Sequence, residues 1–218
     1  MTTLVETRTQ VQAALDRAPV IGVVRTRSTE EAADQARTLA AAGLALVEIT
    51  FTVPQAAALA ARLRRERDAA SGGPPPRTPW IGMGTVTTRA RAEEAIAAGA
   101  EFLVTPNCNL EVARLAREAG LFLVMGALTP SEIVAAHAAG ADLVKVYPLP
   151  PVGGPAYLST VRQPLGDIPM LAAGGFGVDE IPAYRQAGAS AFGIGYPLLA
   201  AAPGGPARVL RLASGEPA

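Results

Sequence analysis

The sequence predicts a (β/α)8 barrel with an additional N-terminal helix. Eight short apolar runs alternate with helical segments over roughly 200 residues, the beat and length of such a barrel. Each run is continuously apolar instead of alternating with polar residues, as in a parallel sheet covered on its faces. No G-x-G-x-x-G follows the first run, which removes the main signature of an open dinucleotide-binding sheet.

The elements follow in order. Residues 4–17 form a helix, with Leu4, Val5, Val11, Ala14 and Leu15 on its apolar side, and Pro19 stops it. Residues 20–24 are the first strand, ending at Arg25. Ser28-Thr-Glu-Glu31 resembles a capping box opening a helix to about Ala42. Residues 44–50 are the second strand. Pro54 opens a helix to about Arg67, and Ser71-Gly-Gly-Pro-Pro-Pro76 is a surface loop. Residues 80–85 are the third strand, followed by an Ala-rich helix to Ala98. Residues 101–105 are the fourth, with a helix over 110–118. Residues 121–125 are the fifth, and Thr129-Pro-Ser-Glu132 caps a helix to Ala139. The stretch 142–148 holds the sixth strand, 169–175 the seventh, 178–187 a helix and 191–195 the eighth. Gly43, Gly99, Gly140 and Gly188 provide left-handed caps between a helix and the next strand. One domain spans 1–218, with its core at about 18–200 and a loose tail, rich in Pro, Gly and Arg, over 204–218.

Composition narrows the function. Half the residues are hydrophobic and the formal net charge is zero, so nothing marks a nucleic-acid or anionic-membrane partner. The lone Cys108 excludes an intramolecular disulfide framework and fits a reducing compartment. One Cys and one His make a zinc site an unfavoured reading, and no metal or cofactor is expected. No run of about 18 apolar residues is present to span a membrane, and the N-terminal stretch lacks a secretory h-region. The expectation is a cytoplasmic protein.

Lys145 is the only lysine in the chain, among Leu143, Val144 and Val146 in a strand that reads as buried. Burial would push its ammonium towards the free amine, which attacks carbonyls to form a Schiff base. Arginine cannot replace lysine in that chemistry. Glu48 is the second anomaly, set between Val47 and Ile49. Period two places Glu48 with Thr50 and Lys145 with Tyr147 on single strand faces. The two charges read either as a structural ion pair or as the nucleophile and proton shuttle of imine chemistry, which needs protons moved on and off the carbinolamine oxygen. Their place at matching strand ends favours the second reading. Arg25 ends the first strand and suits an anion. Gly174-Gly175 and Gly193-Ile-Gly195 end strands seven and eight, where many barrels bind phosphate through backbone N–H groups. His137 reads as a helix-face residue, Cys108 as a bystander, and Trp80 as core or rim.

Val47-Glu48-Ile49-Thr50, Gly82-Met-Gly-Thr-Val86, Val104-Thr-Pro-Asn107, Val144-Lys-Val-Tyr-Pro148, Ala173-Gly-Gly175 and Gly193-Ile-Gly195 stand in an order that resembles the 2-keto-3-deoxy-6-phosphogluconate and 6-phosphogalactonate aldolases, class I pyruvate aldolases on a (β/α)8 barrel. The resemblance covers about residues 10–200. It implies a Schiff base at Lys145 and general acid/base work by Glu48 through a water. Thr85, Pro106 and Tyr147 would shape the pyruvyl pocket, and Arg25 would meet an anionic part of the substrate. Gly174, Gly175, Gly193 and Gly195 would hold phosphate. It also implies a homotrimer and no cofactor. Two positions depart from the gluconate pattern: Thr52 replaces an arginine, and Tyr196 replaces a serine after the last glycine.

The reading is a lyase that cleaves a 2-keto-3-deoxy-6-phospho sugar acid to pyruvate and glyceraldehyde 3-phosphate. Thr52 and Tyr196 motivate a second one, cleavage of an unphosphorylated acid such as 4-hydroxy-2-oxoglutarate. A third is a non-catalytic phosphosugar-binding barrel in which Lys145 and Glu48 are an ion pair.

Overall fold

The computed structural model describes residues 4–70 and 78–216. Strands β1 (Val20–Val24), β2 (Leu46–Thr50), β3 (Trp80–Gly84), β4 (Phe102–Val104), β5 (Phe122–Ala127), β6 (Leu143–Val146), β7 (Met170–Ala173) and β8 (Ala191–Gly195) form a closed barrel in chain order. Neighbours pair in parallel, and β8 closes on β1. The helices are α1 (Leu4–Arg17), α2 (Thr29–Ala41), α3 (Ala56–Ala70), α4 (Arg89–Ala97), α5 (Leu110–Glu118), α6 (Pro130–Ala138), α7 (Gly154–Arg162), α8 (Ile181–Gln186), α9 (Tyr196–Ala201) and α10 (Gly205–Ser214). The expected barrel and its extra N-terminal helix are both present.

Local chemistry explains where the helices begin. Ser28 accepts a hydrogen bond from the Glu31 N–H, and Thr129 and Glu132 form a complete capping box. Asn109 accepts from both Glu111 and Val112 at the start of α5. Gly43, Gly99, Gly140 and Gly188 take positive φ after their helices, as read from the sequence.

Side-chain alternation sorts the strands into two apolar layers. Val47, Ile49, Leu103, Val144 and Phe192 face outward and pack under the helices. Ile21, Leu46, Trp80, Phe102, Phe122, Leu143 and Leu171 fill the lumen, joined by Val11, Ala14 and Leu15 of α1. Helix α1 therefore plugs one end of the barrel. Arg8 on it meets Asp142 at 2.7 Å, just before β6. The C-terminal ends of the strands remain as the way in. Below them, Arg67 and Glu101 form a buried bidentate pair at 2.7 and 2.8 Å. The Ile81 N–H also donates to Glu101, and Arg67 stands 5.7 Å from the Trp80 ring centroid.

Several expectations need correction. Residues 204–216 are not a loose tail: residues 205–214 are α10, and Val209, Leu212 and Ala213 bury one face of it. Helices α7 and α9 were not anticipated; each starts with a proline in its first turn, where a missing N–H does no harm. Strand β3 ends one residue early, because Thr85 turns into the left-handed region at φ 60°. The Ser71–Pro76 loop lies outside the described residues.

Candidate active site

Strands β2 and β6 are four apart in the ring of eight, so they form opposite walls of the lumen. Only long side chains reach across. Glu48 from one wall and Lys145 from the other border the same cavity, with Ile21, Val23, Val104, Leu171, Ala173 and Gly193 around them. Its volume is about 20 Å³, enough to seat one water molecule. The sequence-level pairing of these two residues is thus a spatial one.

Glu48 is only 2% exposed. Burial pushes its carboxyl above the ordinary carboxylate range, and the positive charges of Lys145 and Arg25 pull it back only in part. Its position depends on a missing side chain. A Cβ on Gly84, next door on β3, would overlap the Glu48 carboxyl. Lys145 departs from expectation: it is half-buried, not sealed in the interior. Its strand is covered on the helix side, whereas Lys145 itself faces the lumen and borders the cavity. Its Nζ lies 5.1 Å from the Tyr147 ring centroid, and Tyr147 is 39% exposed at the rim.

The other predicted residues ring the mouth without all meeting the cavity. Arg25 is exposed at the end of β1, within electrostatic reach of Glu48. Thr85 is half-buried, and its carbonyl accepts from Arg91 at 3.1 Å. Arg91 also donates to Thr87 at 2.9 Å and sits 5.5 Å from the Phe51 ring centroid. The Pro106 peptide crosses Gly126 so closely that a Cβ there would strike its carbonyl. Thr105 pins this crossing, donating to the Asn107 carbonyl at 2.7 Å and accepting from the Gly126 N–H at 3.0 Å. Gly193 borders the cavity, whereas Gly174, Gly175 and Gly195 lie at the ends of β7 and β8. Gly174 lets the Pro148–Leu149 backbone and the Pro150 ring pack against it, and a Cβ on Gly175 would meet nothing within 4 Å.

At the two departing positions, Thr52 is exposed and its hydroxyl lies 2.7 Å from that of Thr50. Tyr196 is partly buried and packs against the layer between barrel and helices.

Sequence reasoning did not single out Gly84 as part of the site, and it offered Thr105 at the end of strand four without giving it a role. Gly84 carried a signal, since glycine inside a strand marks close approach of another group. The role of Thr105 depends on its own backbone crossing Gly126 of the neighbouring strand β5, which its sequence neighbours do not reveal. Trp80 belongs to the lumen core. His137 is exposed on α6. Burial pushes the Cys108 thiol up, with Glu132 adding to it, which disfavours the reactive thiolate. Among the described residues no group of three His, Cys, Asp or Glu stands ready for a metal ion.

Comparison with known proteins gives a consistent result. A family model described as KDPG and KHG aldolase matches residues 11–203. A 2-dehydro-3-deoxy-phosphogluconate aldolase of Treponema pallidum (strain Nichols) is 32% identical over 171 residues, 78% of this chain and 77% of that protein. A probable 2-dehydro-3-deoxy-6-phosphogalactonate aldolase of Rhizobium meliloti (strain 1021) is 33% identical over 178 residues, 81% of this chain and 80% of that one. A solved structure described as native KDPGal superposes with a TM-score of 0.74 at 26% identity, over 90% of this chain and 91% of its own. With its barrel, its paired Glu48 and Lys145 and a match over most of its length, this chain belongs to the KDPG and KHG aldolase family.

Proposed function

We propose that this protein is a class I aldolase that cleaves a 2-keto-3-deoxy-6-phospho sugar acid, of gluconate or galactonate type, to pyruvate and glyceraldehyde 3-phosphate. The observation that carries the reading is the shared cavity: an amine and a carboxyl of raised proton affinity on opposite walls, with room for one water between them.

The chemistry follows from that pair. The Lys145 amine adds to the keto carbon, and loss of water leaves a protonated imine. Glu48 supplies and removes the protons of that step through the water; a carboxyl held above its usual range is suited to both directions. The iminium then takes up the electron pair of the bond between carbons three and four. The proton of the carbon-four hydroxyl passes to Glu48, and the aldehyde departs. Protonation of the enamine at carbon three and hydrolysis release pyruvate and restore the amine. Thr85, Pro106 and Tyr147 shape the pyruvyl end, and Arg25 supplies a cation for a carboxylate. Gly174, Gly175, Gly193 and Gly195 allow a phosphate to approach the backbone. The active form is a homotrimer working in the cytoplasm.

Incubation with pyruvate and borohydride tests the assignment. The expected result is a reduced pyruvyl adduct on Lys145, absent in Lys145→Met. No adduct at saturating pyruvate overturns it. A trimer predicts a solution mass three times the 22.3 kDa of the chain.

A further inference from the structure

The peptide between Thr85 and Val86 is held from both sides. Its N–H, on Val86, donates to the Val104 carbonyl at 3.2 Å, and its carbonyl, on Thr85, accepts from Arg91 Nη1 at 3.1 Å. One residue earlier, the Gly84 carbonyl accepts from the Phe51 N–H at 2.9 Å. Thr85 turns between these anchored groups, and it does so at φ 60°. A β-branched residue is crowded in that region, so the conformation persists only where the surroundings enforce it. Two of the three restraints come from backbone next to β2 and β4. The third is the side chain of Arg91.

The contacts of Arg91 seat it for that task. It lies in the first turn of α4, where its own N–H donates to the Thr88 hydroxyl at 3.3 Å. Nη1 also donates to the Thr87 hydroxyl at 2.9 Å, and Asn109 donates to the Thr87 carbonyl at 3.2 Å. The guanidinium stands 5.5 Å from the Phe51 ring centroid. One side chain therefore ties the turn after β3 to the turn after β2. Gly84, on which the Glu48 carboxyl rests, is bonded to the second turn and leads into the first.

We propose that Arg91 is a positioning residue: it holds Thr85 in its left-handed turn and so keeps the pyruvyl end of the pocket preformed. This rests on the aldolase reading and on the place of Thr85 at that end. Without Arg91 the crowded turn relaxes, and only a fraction of the molecules keeps Thr85 in place. Apparent affinity for pyruvate falls by that fraction, while saturating pyruvate draws the population back. The signature is weaker half-saturation with a preserved maximal rate.

Borohydride trapping measured against pyruvate concentration gives both quantities for each folded protein. In Arg91→Met the half-saturating concentration is expected to rise about 10-fold, with the maximal trapping rate within about threefold of wild type. Arg91→Lys keeps a donor on the same helical turn without the flat face over Phe51, and should return half-saturation to within about threefold. An unchanged half-saturating concentration in Arg91→Met, with or without a lower melting temperature, makes Arg91 a structural clasp only and overturns the proposal. So does an Arg91→Lys variant no better than Arg91→Met. Two further arms separate the levels. No adduct in the wild type removes the aldolase reading itself. Thr85→Ala should also weaken half-saturation; if it does not, Thr85 leaves the pyruvyl pocket and the role of Arg91 goes with it. Sensitivity to Thr85→Ala with a wild-type response in Arg91→Met removes Arg91 alone.

Discussion

The carboxyl of Glu48 rests against the bare Cα of Gly84, in space that any other residue at position 84 would fill. One strand supplies the acid and its neighbour supplies the room. Gly84→Ala is predicted to displace the carboxyl from the cavity it shares with Lys145. Misplacement of a reacting group by about 1 Å can lower rate on the order of 100-fold, so pyruvate release should fall by that order. The neighbouring Gly82 would not serve as a control, because a Cβ there strikes Phe102 instead. Steady-state kinetics, with thermal melting to verify folding, gives the answer; retention of full activity would show that Glu48 does not depend on that space.

Burial of Glu48 links stability to pH. Its folded pKa is raised above the unfolded value, so the protonated carboxyl is the form the fold prefers. The associated stability is fully present below the ordinary carboxylate pKa and is lost as pH rises through the folded value. Glu48→Gln cannot ionise and escapes that loss. The variant is therefore expected to melt above the wild type at neutral and alkaline pH, with the gap closing on acidification. Its aldol cleavage should nevertheless be nearly abolished. Melting temperatures of both proteins across the pH range test this, and a gap that widens towards acid contradicts it.

Arg25 enters the same balance from outside, because its charge lowers the proton affinity of Glu48. Arg25→Gln removes that influence, and the acid limb of the pH–rate profile should move to higher pH. If Arg25 also meets the substrate carboxylate, losing a charged hydrogen bond raises KM roughly 10- to 100-fold. Both changes are measured in one set of pyruvate-addition assays. A shift in KM with no movement of the acid limb would separate the two roles.

The sequence was legible where a rule is local. Caps at Ser28 and Thr129, glycines after helices, and continuous apolar strands all carry their meaning within a few residues. Strand parity was enough to put Glu48 and Lys145 in the lumen. It was not enough to tell how deep Lys145 lies, because exposure there depends on what stands above it across the barrel. The tail failed for a different reason: Gly204, Gly205 and Pro206 look like a break, yet proline is favoured at the start of a helix, and the spacing of Val209, Leu212 and Ala213 already marks a buried face. The same confusion hid α7 behind Gly153, Gly154 and Pro155. Gly84 needed knowledge of its neighbour: its value to Glu48 comes from pairing between β2 and β3, in which Thr50 stands beside it.

The ion pair of Arg67 and Glu101 lies away from the mouth and separates stability from catalysis. Their side chains are 6% and 9% exposed, and Glu101 accepts from both terminal nitrogens of Arg67 as well as from the Ile81 N–H. Arg67 also reaches the Pro79 carbonyl at 2.8 Å, tying α3 to the start of β3. Arg67→Met leaves a buried carboxylate without its cation, a loss of about 3 to 5 kcal/mol for pairs of this kind. Replacing both partners by apolar residues costs less than that single change, because no charge is then stranded. Urea unfolding should therefore show a lower midpoint with an unchanged slope for Arg67→Met and a partial recovery in Arg67→Met with Glu101→Leu. Turnover per folded molecule should remain near wild type in both, since neither residue borders the Glu48–Lys145 cavity. A loss of turnover without a loss of stability would mean that this end of the barrel acts on the site.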